Sequence, residues 1–123
     1  MKYFFGIVCF YLVSCTSGDK KPYPNNRQSI LREEVLYKTL CASCHRCDKE
    51  LIGPMLLGAG ERWENKELLY EFFRNPSAVV KKNKYASLLF KKYKILMPSF
   101  SLTNKEIDDI LNYCSNADSG VRY

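Results

Sequence analysis

Cys41-Ala42-Ser43-Cys44-His45 places two thiols three residues apart and follows the second with the only histidine of the chain. On a helical turn, residues three and four apart share a face, so the three side chains are presented together. The residues before this stretch predict a helix over 29–44, with Ser29 as N-cap and Glu33 and Glu34 toward its N-terminal end. Leu36 and Leu40, with Tyr37, Cys41 and Cys44, recur at spacings of three and four, so one face of that helix is buried.

Beyond it, helical signals continue and none for strands appears. Ile52-Gly53-Pro54-Met55-Leu56-Leu57-Gly58-Ala59-Gly60 is a turn-rich but apolar loop, which needs something to pack against. A second helix is predicted over 65–74, stopping before Asn75-Pro76. A third covers 84–93, with Tyr85, Leu88, Leu89 and Lys92 on one stripe. Thr103-Asn104-Lys105-Glu106 is a capping box, followed by Ile107, Ile110, Leu111 and Cys114 at i, i+3, i+4 and i+7. The expected fold is all-α, about four helices. Four short helices with long connections make a thin core, which a large apolar cofactor would complete. At 123 residues the chain has room for one core. Its 46% hydrophobic content excludes a disordered polypeptide.

The N-terminus reads differently. Met1-Lys2 precedes an apolar run from Tyr3 to Val13, too short for a bilayer span and suited to a secretory signal. Its end, Leu12-Val13-Ser14-Cys15, resembles a bacterial lipoprotein signal, whose final cysteine is acylated; an ordinary signal peptide is the alternative. The resemblance implies a signal over 1–14, lipidation of Cys15 and a mature chain from residue 15, held stably by several acyl chains. Residues 16–28 are polar with two prolines and extend Cys15 into a tether. The domain is then expected over 29–116, with a tail at 117–123. This localises the protein outside the cytoplasm, lipid-anchored at a bacterial membrane and facing the periplasm.

C-x-x-C-H is the attachment pattern for c-type haem: both thiols can add to the vinyl groups while His45 approaches the iron. Three other readings stay open on spacing alone. A redox dithiol lacks a surrounding βαβ pattern, half a zinc site lacks a second ligand pair, and a structural disulfide would suit a secreted domain. Met97-Pro98-Ser99-Phe100 lies 52 residues after His45. Cytochromes c hold haem iron with His and Met together. No second histidine exists; Met55 lies only ten residues past His45 and is expected on the histidine side. Met97 is therefore the candidate opposite ligand, with a plain core methionine as the alternative.

These elements together resemble a small class I cytochrome c. The match runs from Leu36-Tyr37 through Cys41-Ala42-Ser43-Cys44-His45, Gly53-Pro54 and Leu56 to Asn75-Pro76, Met97-Pro98-Ser99-Phe100, Leu102-Thr103 and Tyr113. The resemblance implies first and last helices crossing beside one covalent haem c, and single-electron transfer rather than enzymatic turnover. It implies that the Pro54 carbonyl accepts a hydrogen bond from the His45 ring. It makes Arg62 and Trp63 candidate partners of a haem propionate, a core or surface role for Trp63 being the alternative. One departure concerns the helix crossing, where the family often has glycine and this chain has Glu33. Two rival functions remain: a haem sensor or peroxidase-like enzyme with a displaceable Met97, and a haem-free dithiol or structural lipoprotein.

With Cys9 in the signal, Cys15 lipidated and Cys41 and Cys44 on haem, Cys47 and Cys114 are left over. Cys114 stands where the family commonly has leucine, and Cys47 lies near where the terminal helices meet. An oxidising compartment suits a Cys47–Cys114 disulfide worth roughly 4 kcal/mol by chain entropy; two buried thiols are the alternative. The net charge is +6, and no carboxylate occurs from Asn75 to Lys105. That stretch carries Lys81, Lys82, Lys84, Lys91, Lys92, Lys94 and Lys105, a candidate docking face for an acidic redox protein or membrane oxidoreductase complex. A solvated helix surface is the alternative. The expected protein is a monomer that binds no nucleic acid.

Overall fold

A computed structural model describes residues 27–118. The signal over 1–14, Cys15, most of the tether and residues 119–123 lie outside the described residues. The order of elements is α1 (Arg27–Leu40), a 3-10 turn (Ala59–Arg62), α2 (Lys66–Arg74), α3 (Pro76–Lys82), α4 (Lys84–Tyr93) and α5 (Asn104–Asp118). No strand occurs among the described residues.

The terminal helices α1 and α5 make the most extensive pairing of the fold. Their interface buries Tyr37, Cys41, Ile110 and Cys114, with Leu56 of the loop beneath them. The capping box forms at the start of α5: the Glu106 N–H donates to Thr103 Oγ1, and the Thr103 N–H donates to the Glu106 carboxylate at 2.8 Å.

Helix α1 begins two residues earlier than expected and ends four residues earlier. Ser29 therefore lies inside the helix rather than capping it. Cys41–Cys44 forms a tighter turn, in which the N–H groups of both Cys44 and His45 donate to the Cys41 carbonyl. The haem-type motif thus sits on the turn that leaves α1, not on the helix body.

A second correction concerns Asn75-Pro76. The proline ends α2, but it also opens α3, which the sequence reading missed. A proline at the first helical position needs no N–H partner, and its fixed φ suits a helix start. The Asn75 N–H closes α2 on Glu71, while its side chain accepts from the Ala78 N–H at 3.3 Å. Asn83 repeats this role between α3 and α4, accepting from the Ala86 N–H at 3.0 Å. Lys94, in the left-handed region at φ 58°, ends α4.

Helices α2–α4 form a bent wall around Leu69, Tyr70, Phe73, Val79 and Ala86, against Ile107 of α5 and Trp63. Burying a side chain such as Phe73 contributes roughly 1.5–3 kcal/mol. Leu88, expected on the inner stripe of α4, points outward at 52% exposure; Ala86 takes the buried position between half-buried Tyr85 and Leu89. Cross-links tie this wall to α5 and to the segment before it: Tyr70 Oη donates to Asp108 at 2.9 Å, and Arg74 Nε donates to the Leu102 carbonyl at 2.9 Å.

At the α1–α5 interface Glu33 is buried beside Asp109, itself 1% exposed. Lys105 Nζ holds Asp109 at 2.8 Å, and Arg32 lies 3.7 Å from it. Burial, and then the charge of Asp109, push the Glu33 carboxyl above its ordinary value, against the opposing pull of Lys105 and Arg32. The folded chain therefore holds this proton more tightly than the unfolded chain. That stabilisation is complete below the ordinary value of 4.5 and is lost as pH rises through the higher folded value. Glu33→Gln is expected to raise the thermal midpoint at neutral pH, with the difference vanishing in acid. Thermal melts across pH check this.

Candidate functional site

The chain leaving α1 doubles back beneath His45. The Gly53 N–H donates to the Cys44 carbonyl at 2.9 Å, and the Leu56 and Leu57 N–H groups donate to Arg46 and Cys47. His45 Nδ1 and the Pro54 carbonyl oxygen lie 2.7 Å apart. A carbonyl can only accept, so Nδ1 carries the proton and a neutral ring keeps Nε2 free to bind a metal. A Cβ on Gly53 would lie 2.5 Å from His45 Cε1. Any side chain there would push the ring away, so Gly53 and Pro54 together set the ring's position. Tyr37 Oη donates to the His45 carbonyl at 3.1 Å and stacks on Tyr113 with centroids 5.0 Å apart.

Met97 reaches the same place from the other end of the fold. It follows the left-handed turn at Lys94, on an extended segment secured where the Phe100 N–H donates to the Phe73 carbonyl at 2.9 Å. His45 and Met97 line one solvent-open crevice, which Cys44 also lines. Ile52, Gly53 and Pro54 bound it on the histidine side, Leu96 and Pro98 on the methionine side, and Val80, Ala86 and Leu89 along the wall. A contiguous recess behind it also touches both residues and ends at Trp63, Arg62 and Tyr85. Met55 lines that recess beside Pro54.

Trp63 is buried and packs on Phe72 and edge-on against Tyr85, so it is part of the core as well as of the recess. The Arg62 guanidinium is largely engaged: Nη1 donates to the Leu57 carbonyl at 2.7 Å, Nη2 to the Met55 carbonyl and Nε to Tyr85 Oη. Its main visible task is to hold the 55–57 loop against α4. Lys92 and Glu50 form an ion pair between α4 and the histidine-side loop.

Cys41 and Cys44 are free thiols. Burial, and then the neighbouring Cys44, push Cys41 up to about 11. Redox-active dithiols need a lowered thiol pKa, so this environment speaks against dithiol exchange. Among the described residues no group of three or more His, Cys, Asp or Glu side chains is placed to hold a metal. The other two cysteines among the described residues, Cys47 and Cys114, are joined by a disulfide.

The family profile for cytochrome c matches residues 33–118. The chain belongs to the cytochrome c family. Membership brings a covalently attached haem c and a haem-based electron-transfer role, on an all-α class I fold. Solved structures share that fold. Cytochrome c from Rhodothermus marinus superposes with a TM-score of 0.61 at 24% identity, over 75% of this chain and 78% of that one. An engineered form, Rma TDE, gives 0.60 at 22% identity over 76% and 80%. The same engineered cytochrome c bound to a carbene intermediate gives 0.57 at 22% identity over 76% and 80%. A comparison with curated proteins gave no match.

The crevice fits the haem of the family. It is lined chiefly by aliphatic and aromatic side chains, as an apolar macrocycle requires. Ile52, Phe90, Ile95 and Leu96 stand 38–53% exposed at its mouth. An exposed apolar rim of this kind suits a ligand-binding groove.

Sequence reasoning named Gly53-Pro54 as a matching element but missed why position 53 lacks a side chain. It also missed the wall residues Phe72 and Val80, which carry no motif. Gly53→Ala is expected to destabilise the holoprotein by about 1–3 kcal/mol, the range of an overpacked core. Urea unfolding followed by haem absorbance measures it.

Proposed function

We propose that this cytochrome carries one electron at a time on a haem held by Cys41 and Cys44, with His45 and Met97 as the two iron ligands. The observation that carries this is the apolar crevice that His45 and Met97 line together, although they lie on segments far apart in the sequence. Cys41 and Cys44 would hold the haem through thioethers, each thiol adding across a vinyl group with its proton going to the neighbouring carbon. His45, with Nδ1 bound to Pro54, would offer Nε2; Met97 would offer its sulfur. The bound group supplies a one-electron couple, and histidine with methionine ligation raises its potential. With both positions taken by His45 and Met97, no substrate site would remain on the iron, and the protein would act as a carrier rather than an enzyme. Arg62 and Trp63 would border the propionates in the inner recess.

The carrier is proposed to be exported and lipid-anchored through Cys15 on the periplasmic side, relaying electrons between membrane-associated partners as a monomer. No helix among the described residues is long and apolar enough to cross a membrane. Lys81, Lys84, Lys91 and Lys94 on α3, α4 and the turn after α4 form no ion pair with the described residues. Lys82, Lys92 and Lys105 are each neutralised by a carboxylate. The four uncompensated lysines are the proposed docking charges for an acidic redox protein or oxidoreductase complex.

Two measurements test this. Reduced wild-type protein is expected to bind no carbon monoxide at neutral pH, whereas Met97→Ala binds it readily. Binding by the wild type would favour the sensor or peroxidase-like reading, and equal behaviour of the two would remove Met97 as ligand. Electron-transfer rates to an acidic partner protein are expected to fall on the order of tenfold from low to high salt. Stopped-flow kinetics on an ionic-strength series check this, and a flat profile rejects the docking face.

A further inference from the structure

Cys47 creates a second C-x-x-C pair that overlaps the first. Cys44-His45-Arg46-Cys47 follows directly on Cys41-Ala42-Ser43-Cys44, so Cys44 belongs to both. Any thiol oxidant acting on the open chain could join Cys44 to either neighbour. Loop-closure entropy favours such local rings over a partner far along the chain.

The fold makes the opposite choice. Cys47 is bonded to Cys114, 67 residues away, and Cys41 and Cys44 stay free. This pairing requires α5 docked on α1, which brings the Cα atoms of Cys47 and Cys114 to 4.8 Å, a separation a disulfide spans. Cys114 is fully buried in the cluster that also contains Cys41, so an unbridged Cys114 would be a second stray thiol beside the attachment pair.

We infer that the Cys47–Cys114 bridge is an internal protecting group for haem attachment: it removes the third thiol of the overlapping motif and thereby directs Cys44 to the vinyl group. The inference rests on the proposed attachment at Cys41 and Cys44. In the bridged chain the Cys44 thiol adds to a vinyl carbon; an S–C bond forms, the C=C π bond breaks, and the thiol proton passes to the adjacent carbon with no net oxidation. With Cys47 unbridged, a protein disulfide oxidant of the exported compartment takes two electrons and two protons from Cys44 and Cys47. An S–S bond forms between them, the oxidant's disulfide becomes two thiols, and Cys44 has no thiol left to add. When Cys114 is present, the same oxidant draws those electrons from Cys47 and Cys114.

The test compares the full-length wild type, Cys114→Ser and the double variant Cys47→Ser/Cys114→Ser, each co-expressed with haem-maturation machinery in an oxidising compartment. Intact mass gives the haem-loaded fraction, and peptide mapping without reduction gives the disulfides of the haem-free fraction. Both variants lose the bridge and its stability, so their difference isolates the stray thiol. Cys114→Ser is expected to load roughly threefold less haem than the double variant and to accumulate a Cys44–Cys47 disulfide in its haem-free fraction. Equal loading of the two variants, whether high or low, or a haem-free Cys114→Ser fraction without that disulfide, overturns the inference. A wild type that acquires no haem mass overturns the attachment itself; a loaded wild type with equal variants overturns only the protecting role.

Discussion

The site depends on how the His45 ring is held. A carbonyl at 2.7 Å fixes which nitrogen is protonated, and a glycine leaves the space the ring fills. Both restraints come from the same dipeptide, Gly53-Pro54, on a loop pinned back to the turn that leaves α1. That turn is itself seated in the α1–α5 interface through Cys41 and Tyr37. Moving the terminal helices would therefore move the ring, and the position of the proposed iron ligand is a consequence of helix packing.

The opposite side of the crevice is built by a different device. Three short helices, α2, α3 and α4, follow one another with single asparagines between them, each ending one helix and opening the next. Helices this short are marginal alone. They persist because their inner faces share one core with Trp63 and Ile107, and because side chains tie α2 to α5 and to the segment before it. The left-handed residue at Lys94 then turns the chain toward Met97. The apolar mouth between the two sides would be a liability in a protein without a large apolar ligand.

The terminal interface carries an unusual electrostatic load. Where close helix approach would suit a small residue, Glu33 is buried next to Asp109, and the crossing is maintained by Lys105 and Arg32 alongside. Long cationic stems shield such a pair while their charged heads reach solvent. The covalent bridge from Cys47 to Cys114 fastens the same two segments further along, where the packing is apolar.

Local chemistry made much of this legible from residues alone. The Cys41–His45 motif, the capping box at Thr103 and the periodic face of the last helix each depend on neighbours within a few residues, so they survive without a three-dimensional context. The end of α1 and the existence of α3 did not, because both hang on competition between helix continuation and tertiary tightening: Pro76 serves equally as a stop and as a start. By itself the sequence determined the helical class, the haem-attachment motif and a short list of iron-ligand candidates, since these are matters of residue type and spacing. Only the tertiary structure decided that His45 and Met97 share one crevice, that Gly53 must lack a side chain, that Arg62 serves a loop and that three of the lysines are already paired. Those facts arise from contacts between segments tens of residues apart, which spacing along the chain does not encode.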